Sequence, residues 1–205
     1  MPISNYARDT FVAPHMSRLT DVGAPDLREQ AKSWVNNFIL TTIVKLGKDY
    51  QYRQLILRTL RSIEGAFQEY QEGREFLSTY VDKRADISSY FHALRHFETS
   101  TLLAYHAFDT IRTMISKDLF AQNDGSPLQR LNRLQNITKH AHKEMGRGEV
   151  PKGSIVPIWL TNTGLECHDK TKLTFSEFAG LMADLTRLAD IISQPPSQPR
   201  NNGTT

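Results

Sequence analysis

Arg133, Asn136 and His140 recur at intervals of three and four residues, so on a helix of 3.6 residues per turn they share one polar row. The outer two are seven residues apart, about 10 Å along the axis, and both side chains can reach a phosphodiester set between them. Such a row suits RNA cleavage without metal. The imidazole would take the proton of a ribose 2′-hydroxyl, the guanidinium would stabilise charge developing on phosphorus, and the amide would orient either group. The competing reading is structural, because Arg, Asn and His on a helix flank commonly form an exposed polar face or a polar network closing a bundle.

The row lies in a locally basic segment of the chain. Between Ser126 and Gly153 six basic residues face two acidic ones, whereas the whole chain of 205 residues has a net charge of only +3. Lys139, Lys143 and Arg147 recur four apart, which gives a cationic strip able to follow a phosphate backbone.

The helix that carries these residues has clear bounds. Asn123-Asp124-Gly125 forms a turn, Ser126 is an N-cap and Pro127 suits the first helical position. Leu131, Leu134, Ile137, Ala141 and Met145 form the apolar side, and Gly146 and Gly148 stop the helix. At these residues the chain resembles the HEPN superfamily, helical-bundle proteins of prokaryotic conflict systems. Their ribonuclease members carry an Arg, four to six residues of any kind, and then His. Arg133 and His140 fit with six intervening residues. A second alignment takes Asn136 to His140 as the match. It puts Gln135 where the arginine should be, as in non-catalytic relatives. The resemblance thus implies either an endoribonuclease with a toxin or defence role, or a non-catalytic interaction or regulatory module partnered by RNA, an antitoxin or another protein.

The remaining helices must hold this one in place. Pro25 predicts a helix up to about Gly47 with Trp34, Val35, Phe38, Ile39, Thr42 and Leu46 inward. A second begins near Asp49 and presents Tyr52, Ile56, Leu60, Ile63, Phe67 and Tyr70, with the span from Gly73 to Arg84 either continuing it or turning. From Asp86 to Ser116, Ile87, Tyr90, Leu94, Phe97, Thr101, Ala104, Phe108, Ile111 and Ile115 form a long stripe, a core helix or the seam of a homodimer. Only Thr101 interrupts its apolar character. A β-hairpin over about 154–169 turns at Asn162-Thr163-Gly164, Gly164 taking a left-handed conformation and Pro157 marking an edge strand. Thr174-Phe175-Ser176-Glu177 is a capping box for a last helix through Leu181, Leu185 and Ile192.

The expected fold is mainly α, an antiparallel bundle of about five helices with a small β-hairpin before the last helix. Residues 1–23 read as an irregular arm, 24–194 as one domain and 195–205 as a disordered tail. The composition, 39% hydrophobic and 23% charged with mean hydropathy −0.45, is that of a globular protein. Arg8 and Asp9 argue against an export signal, no apolar run is long enough to span a bilayer, and the lone Cys167 fits a reducing cytoplasm. No phosphate loop or Glu-x-x-His pair occurs, so no cofactor or metal is expected. His92 and His96 read as a surface pair, Cys167 as a half-buried strand residue, and Trp159 as a cover for the core.

Overall fold

A computed structural model describes residues 12, 13, 16, 23–43, 50–83, 87–120, 124–148 and 157–193. Within them lie α1 (Trp34–Ile43), α2 (Tyr50–Lys83), α3 (Ile87–Ile115), α4 (Pro127–Gly146), β1 (Ile158–Thr161), β2 (Gly164–Cys167), β3 (Lys172–Thr174) and α5 (Phe175–Ser193). The protein is mainly helical with one small antiparallel sheet, in strand order β1-β2-β3. Most of the predicted N-terminal arm, residues 154–156 of the predicted hairpin and the whole 195–205 tail lie outside the described residues.

α2 is continuous across its two glycines, and α3 packs along it. The predicted stripe is buried from Tyr90 through Leu94, Phe97, Thr101, Ala104 and Phe108 to Ile111, against Leu60, Ile63, Phe67, Tyr70 and Leu77 of α2. Its face is therefore covered within one chain, which removes the stripe as grounds for a homodimer seam. Gly73 is one reason the helices come so close. A Cβ there would meet His96 Cβ and the Phe97 ring at 3.2 Å. The Ser100 hydroxyl crosses the same seam to the carbonyl of Ala66 at 2.7 Å.

Phe175, Phe178, Leu181, Met182 and Leu185 of α5 complete this core. Tyr70 sits at its centre, edge-on to Phe97 with ring centroids 5.5 Å apart and tilted against Phe178 at 5.8 Å. The predicted capping box starts α5: the Glu177 N–H donates to Thr174 Oγ1 at 3.1 Å and the Thr174 N–H to Glu177 Oε2 at 3.0 Å.

Two parts differ from the sequence reading. Pro25 does not open the first helix. A single 3-10 turn, Arg28–Gln30, follows instead, and Ala31 is extended. Side-chain competition explains the break, since Asp26 Oδ1 accepts the Arg28 N–H at 3.0 Å and its carboxylate also holds the Arg28 guanidinium. α1 then starts where long-range partners await it: the Val35 N–H donates to Glu64 Oε1 at 2.7 Å and Trp34 Nε1 to Asp190 Oδ1 at 2.8 Å.

The second difference is a third strand. β3 pairs with β2, placing Leu165 opposite Leu173, and leads directly into α5. Gly164 does take a positive φ, 158°, that side chains rarely adopt, but it does so as the first residue of β2 and not in the left-handed helical region. It is glycine because β3 crosses it, and a Cβ would meet the Leu173 carbonyl oxygen at 2.1 Å. β1 is an edge strand preceded by Pro157, as predicted. Cys167 is fully buried, not half-buried. Because the obstacle at Gly164 is backbone, Gly164→Ala should destabilise the protein by about 2 kcal/mol or more, measured as the shift in urea midpoint.

Candidate functional site

α4 forms as the sequence predicts. The Gln129 N–H donates to Ser126 Oγ at 3.1 Å, the Ser126 N–H to Asp124 Oδ1 at 2.9 Å and the Gly125 N–H to Gln129 Oε1 at 2.7 Å. Arg130 then fastens this end of α4 to the start of α5. Its guanidinium donates to the Gly125 carbonyl at 2.5 Å and to Glu177, the capping-box carboxylate.

One turn on, Arg133 points to the sheet. Its Nε donates to Asp169 Oδ2 at 2.8 Å, in the turn between β2 and β3. Asp169 is itself fixed, because its Oδ1 accepts the Thr171 N–H at 2.9 Å. Burial works to raise the Asp169 carboxyl, but the hydrogen bonds from Arg133 and Thr171 outweigh it and hold the carboxyl below its ordinary value.

Gln135, which the alternative alignment sets at the arginine position, is 7% exposed. Its Nε2 donates to Thr101 Oγ1 at 3.0 Å, and the Thr101 hydroxyl donates to the Glu98 carbonyl at 2.9 Å. The one polar residue in the α3 stripe is thus paired with the one buried polar residue of α4's core face. Leu131, Leu134 and Ile137 fill that face, whereas Met145 is 46% exposed beyond it.

The other predicted residues stand apart from this bracing. Asn136 is exposed, and its Nδ2 makes a long 3.5 Å contact with Asn132 Oδ1. His140 is half-buried, and among the described residues its side chain makes no hydrogen bond, ion pair or ring contact. No contact joins Arg133, Asn136 and His140 to one another. Lys139, Lys143 and Arg147 are all exposed near the C-terminal end of α4. The negative end of the helix dipole favours cations there.

Several groups escape a reading from spacing alone. Asp169 carries a turn signal, an Asp two residues before the amide it accepts, but its pairing with Arg133 spans 36 residues. His96 is 6% exposed and not a surface residue. Its Nδ1 is 2.7 Å from Glu69 Oε2 and its ring stacks on Phe76. Glu98, on α3 beside Thr101, is pushed by burial up to about 7. No group of three or more potential metal ligands occurs among the described residues, and none of their helices is long and apolar enough to cross a membrane. Comparisons with protein-family models, with curated proteins and with solved structures find no match.

Two measurements check these assignments. Between its ordinary value of 4.5 and about 7, the Glu98 carboxyl stays protonated in the folded chain and ionises in the unfolded one. Stability from this group is thus fully present below 4.5 and falls as pH rises to about 7. Glu98→Gln should flatten that slope and raise Tm at pH 8, read from thermal unfolding across the range. The Arg133–Asp169 pair is partly exposed, so Asp169→Asn should cost about 1 kcal/mol or less. That loss should vanish in acid, where the wild-type carboxylate is itself protonated.

Proposed function

We propose that the chain is a HEPN-like helical protein that binds RNA through α4 and does not cleave it. One observation carries the second half of the reading. Both residues that could stand as the motif's arginine are committed to the fold, Arg133 to Asp169 at 2.8 Å and Gln135 to Thr101 at 3.0 Å. A phosphate clamp would have to break the first pair. A catalytic arginine held by a carboxylate also has much of its charge neutralised before substrate arrives.

The exposure of Lys139, Lys143 and Arg147 on one helical face supports the first half. Such a row holds the backbone of a single strand or loop without reading its sequence. Binding without cleavage suits the regulatory side of a conflict system better than the toxin side. No second copy is required, since α2 covers the stripe that would otherwise argue for a homodimer.

Two assays with the full chain test this reading. Wild type should leave single-stranded RNA intact in EDTA. A 2′,3′-cyclic phosphate product that disappears in His140→Ala would instead establish the ribonuclease. In fluorescence anisotropy, affinity for a short RNA should fall steeply with salt. Changing Lys139, Lys143 and Arg147 together to Gln should lower the slope of log K against log salt by about two to three. An unchanged slope would remove α4 as the RNA contact.

A further inference from the structure

Along the α2/α3 pair an open groove of about 500 Å³ is lined by Gln54, Leu57, Arg58, Arg61 and Ser62 of α2 and Leu103 of α3. Its volume is that of a small-molecule site. Leu57 and Leu103 are half-buried and give it an apolar floor. α3 presents Leu103 there because α2 has Gly65 opposite, where a Cβ would lie 3.0 Å from Leu103 Cδ1.

The polar groups of the groove lack partners among the described residues. Among the described residues neither Arg58 nor Arg61 makes an ion pair or hydrogen bond, unlike Arg28, Arg74, Arg112, Arg130, Arg133 and Arg187, each of which holds a carboxylate. The acids nearest them along the two helices are engaged elsewhere. Glu64 accepts the Val35 N–H at 2.7 Å, and Asp109 holds Arg112 at 2.7 Å. Ser62 is 8% exposed, yet its hydroxyl has no hydrogen-bond partner among the described residues. Two like charges three residues apart on a helix repel. That repulsion weakens the free protein, and an anion with several acceptor oxygens would relieve it while also accepting from the Ser62 hydroxyl on the groove wall.

We propose that this groove binds a small organic phosphate, its phosphate oxygens held by Arg58, Arg61 and the Ser62 hydroxyl and its organic body lying on Leu57 and Leu103. Two guanidinium groups match the fork geometry of phosphate oxygens. The floor gives the organic body a surface that free phosphate would not use. The site is separate from the basic row of α4 and does not depend on RNA binding there.

Isothermal titration of the full chain with ADP, inorganic pyrophosphate and adenosine tests the proposal. ADP should bind, pyrophosphate more weakly, and adenosine not measurably. Arg58→Gln and Arg61→Gln should each weaken ADP about tenfold while leaving Tm unchanged or raising it, because each relieves the repulsion. Ser62→Ala should weaken ADP by a smaller factor. The Lys139, Lys143 and Arg147 triple change should lose RNA and keep ADP, so the two sites can fail independently. Adenosine binding as well as ADP, ADP binding unaffected by the arginine changes, or no binding of any probe at millimolar concentration would each overturn the proposal. So would pyrophosphate matching ADP, a drop of several degrees in Tm for both arginine variants, or single-stranded RNA that needs Arg58 and Arg61 while ADP does not bind.

Discussion

The close seam between α2 and α3 is the constraint on which the other elements depend. Two helices of 34 and 29 residues lie antiparallel, and at the contact the side chains are small: Gly65, Ala66 and Gly73 on one, Ala93, Ser100 and Ala104 on the other. Close approach leaves no room for long polar side chains and lets aromatic rings such as Tyr70 and Phe97 fill the flanks. Those rings form the surface on which α5 packs, through Phe175 and Phe178. Tyr90, at one end of the seam, accepts the Leu160 N–H at 3.2 Å and so anchors the sheet. Burial raises the pKa of its phenol, and the bond accepted from Leu160 only partly offsets that.

Around this seam, polar side chains mostly join one element to another. Arg130 ties α4 to the α5 cap, Arg133 ties it to the β2/β3 turn, and Gln135 ties it to Thr101. Together they place α4 against α3, α5 and the sheet. In a helix whose apolar face is only a few residues wide, such bonds decide which way the helix is rotated. Its basic row, Lys139, Lys143 and Arg147, is exposed.

Periodicity made the helices legible, because α3, α4 and α5 each carry apolar residues at helical spacing, and α4 and α5 begin beside recognisable capping residues. It fails where a short-range polar bond competes with the period. Asp26 claims the Arg28 amide, and the helix expected from Pro25 reduces to one 3-10 turn. It also fails for β3, whose three residues include one buried side chain, Leu173, and whose position is fixed by the absence of a side chain at Gly164. The candidate row on α4 was legible as a set of residue types on one face. What occupies Arg133 was not, since Asp169 is joined to it only through the folded sheet. His96 was misread for a related reason: its burial follows from Glu69 and Phe76 on α2, which no pattern within α3 reveals.

Charge along α2 is segregated in a way that helix formation does not explain. From Tyr50 to Ile63 the sequence has Arg53, Arg58 and Arg61 and no acid, while Glu64, Glu69, Glu72, Glu75 and Asp82 follow, with only Arg74 and Lys83 as bases among them. Arg53 in the first turn and Asp82 in the last both oppose the helix dipole. Three of those acids have work within the fold, Glu64 at the Val35 amide and Glu69 and Glu72 at His96, so the C-terminal half of α2 is bound inward by its neighbours. Arg58 and Arg61 have no such attachment. They are exposed on α2 and line the groove that Leu103 of α3 also borders. Arg58 and Arg61 repel one another beside a groove with an apolar floor, and these are the features from which an anionic ligand is proposed.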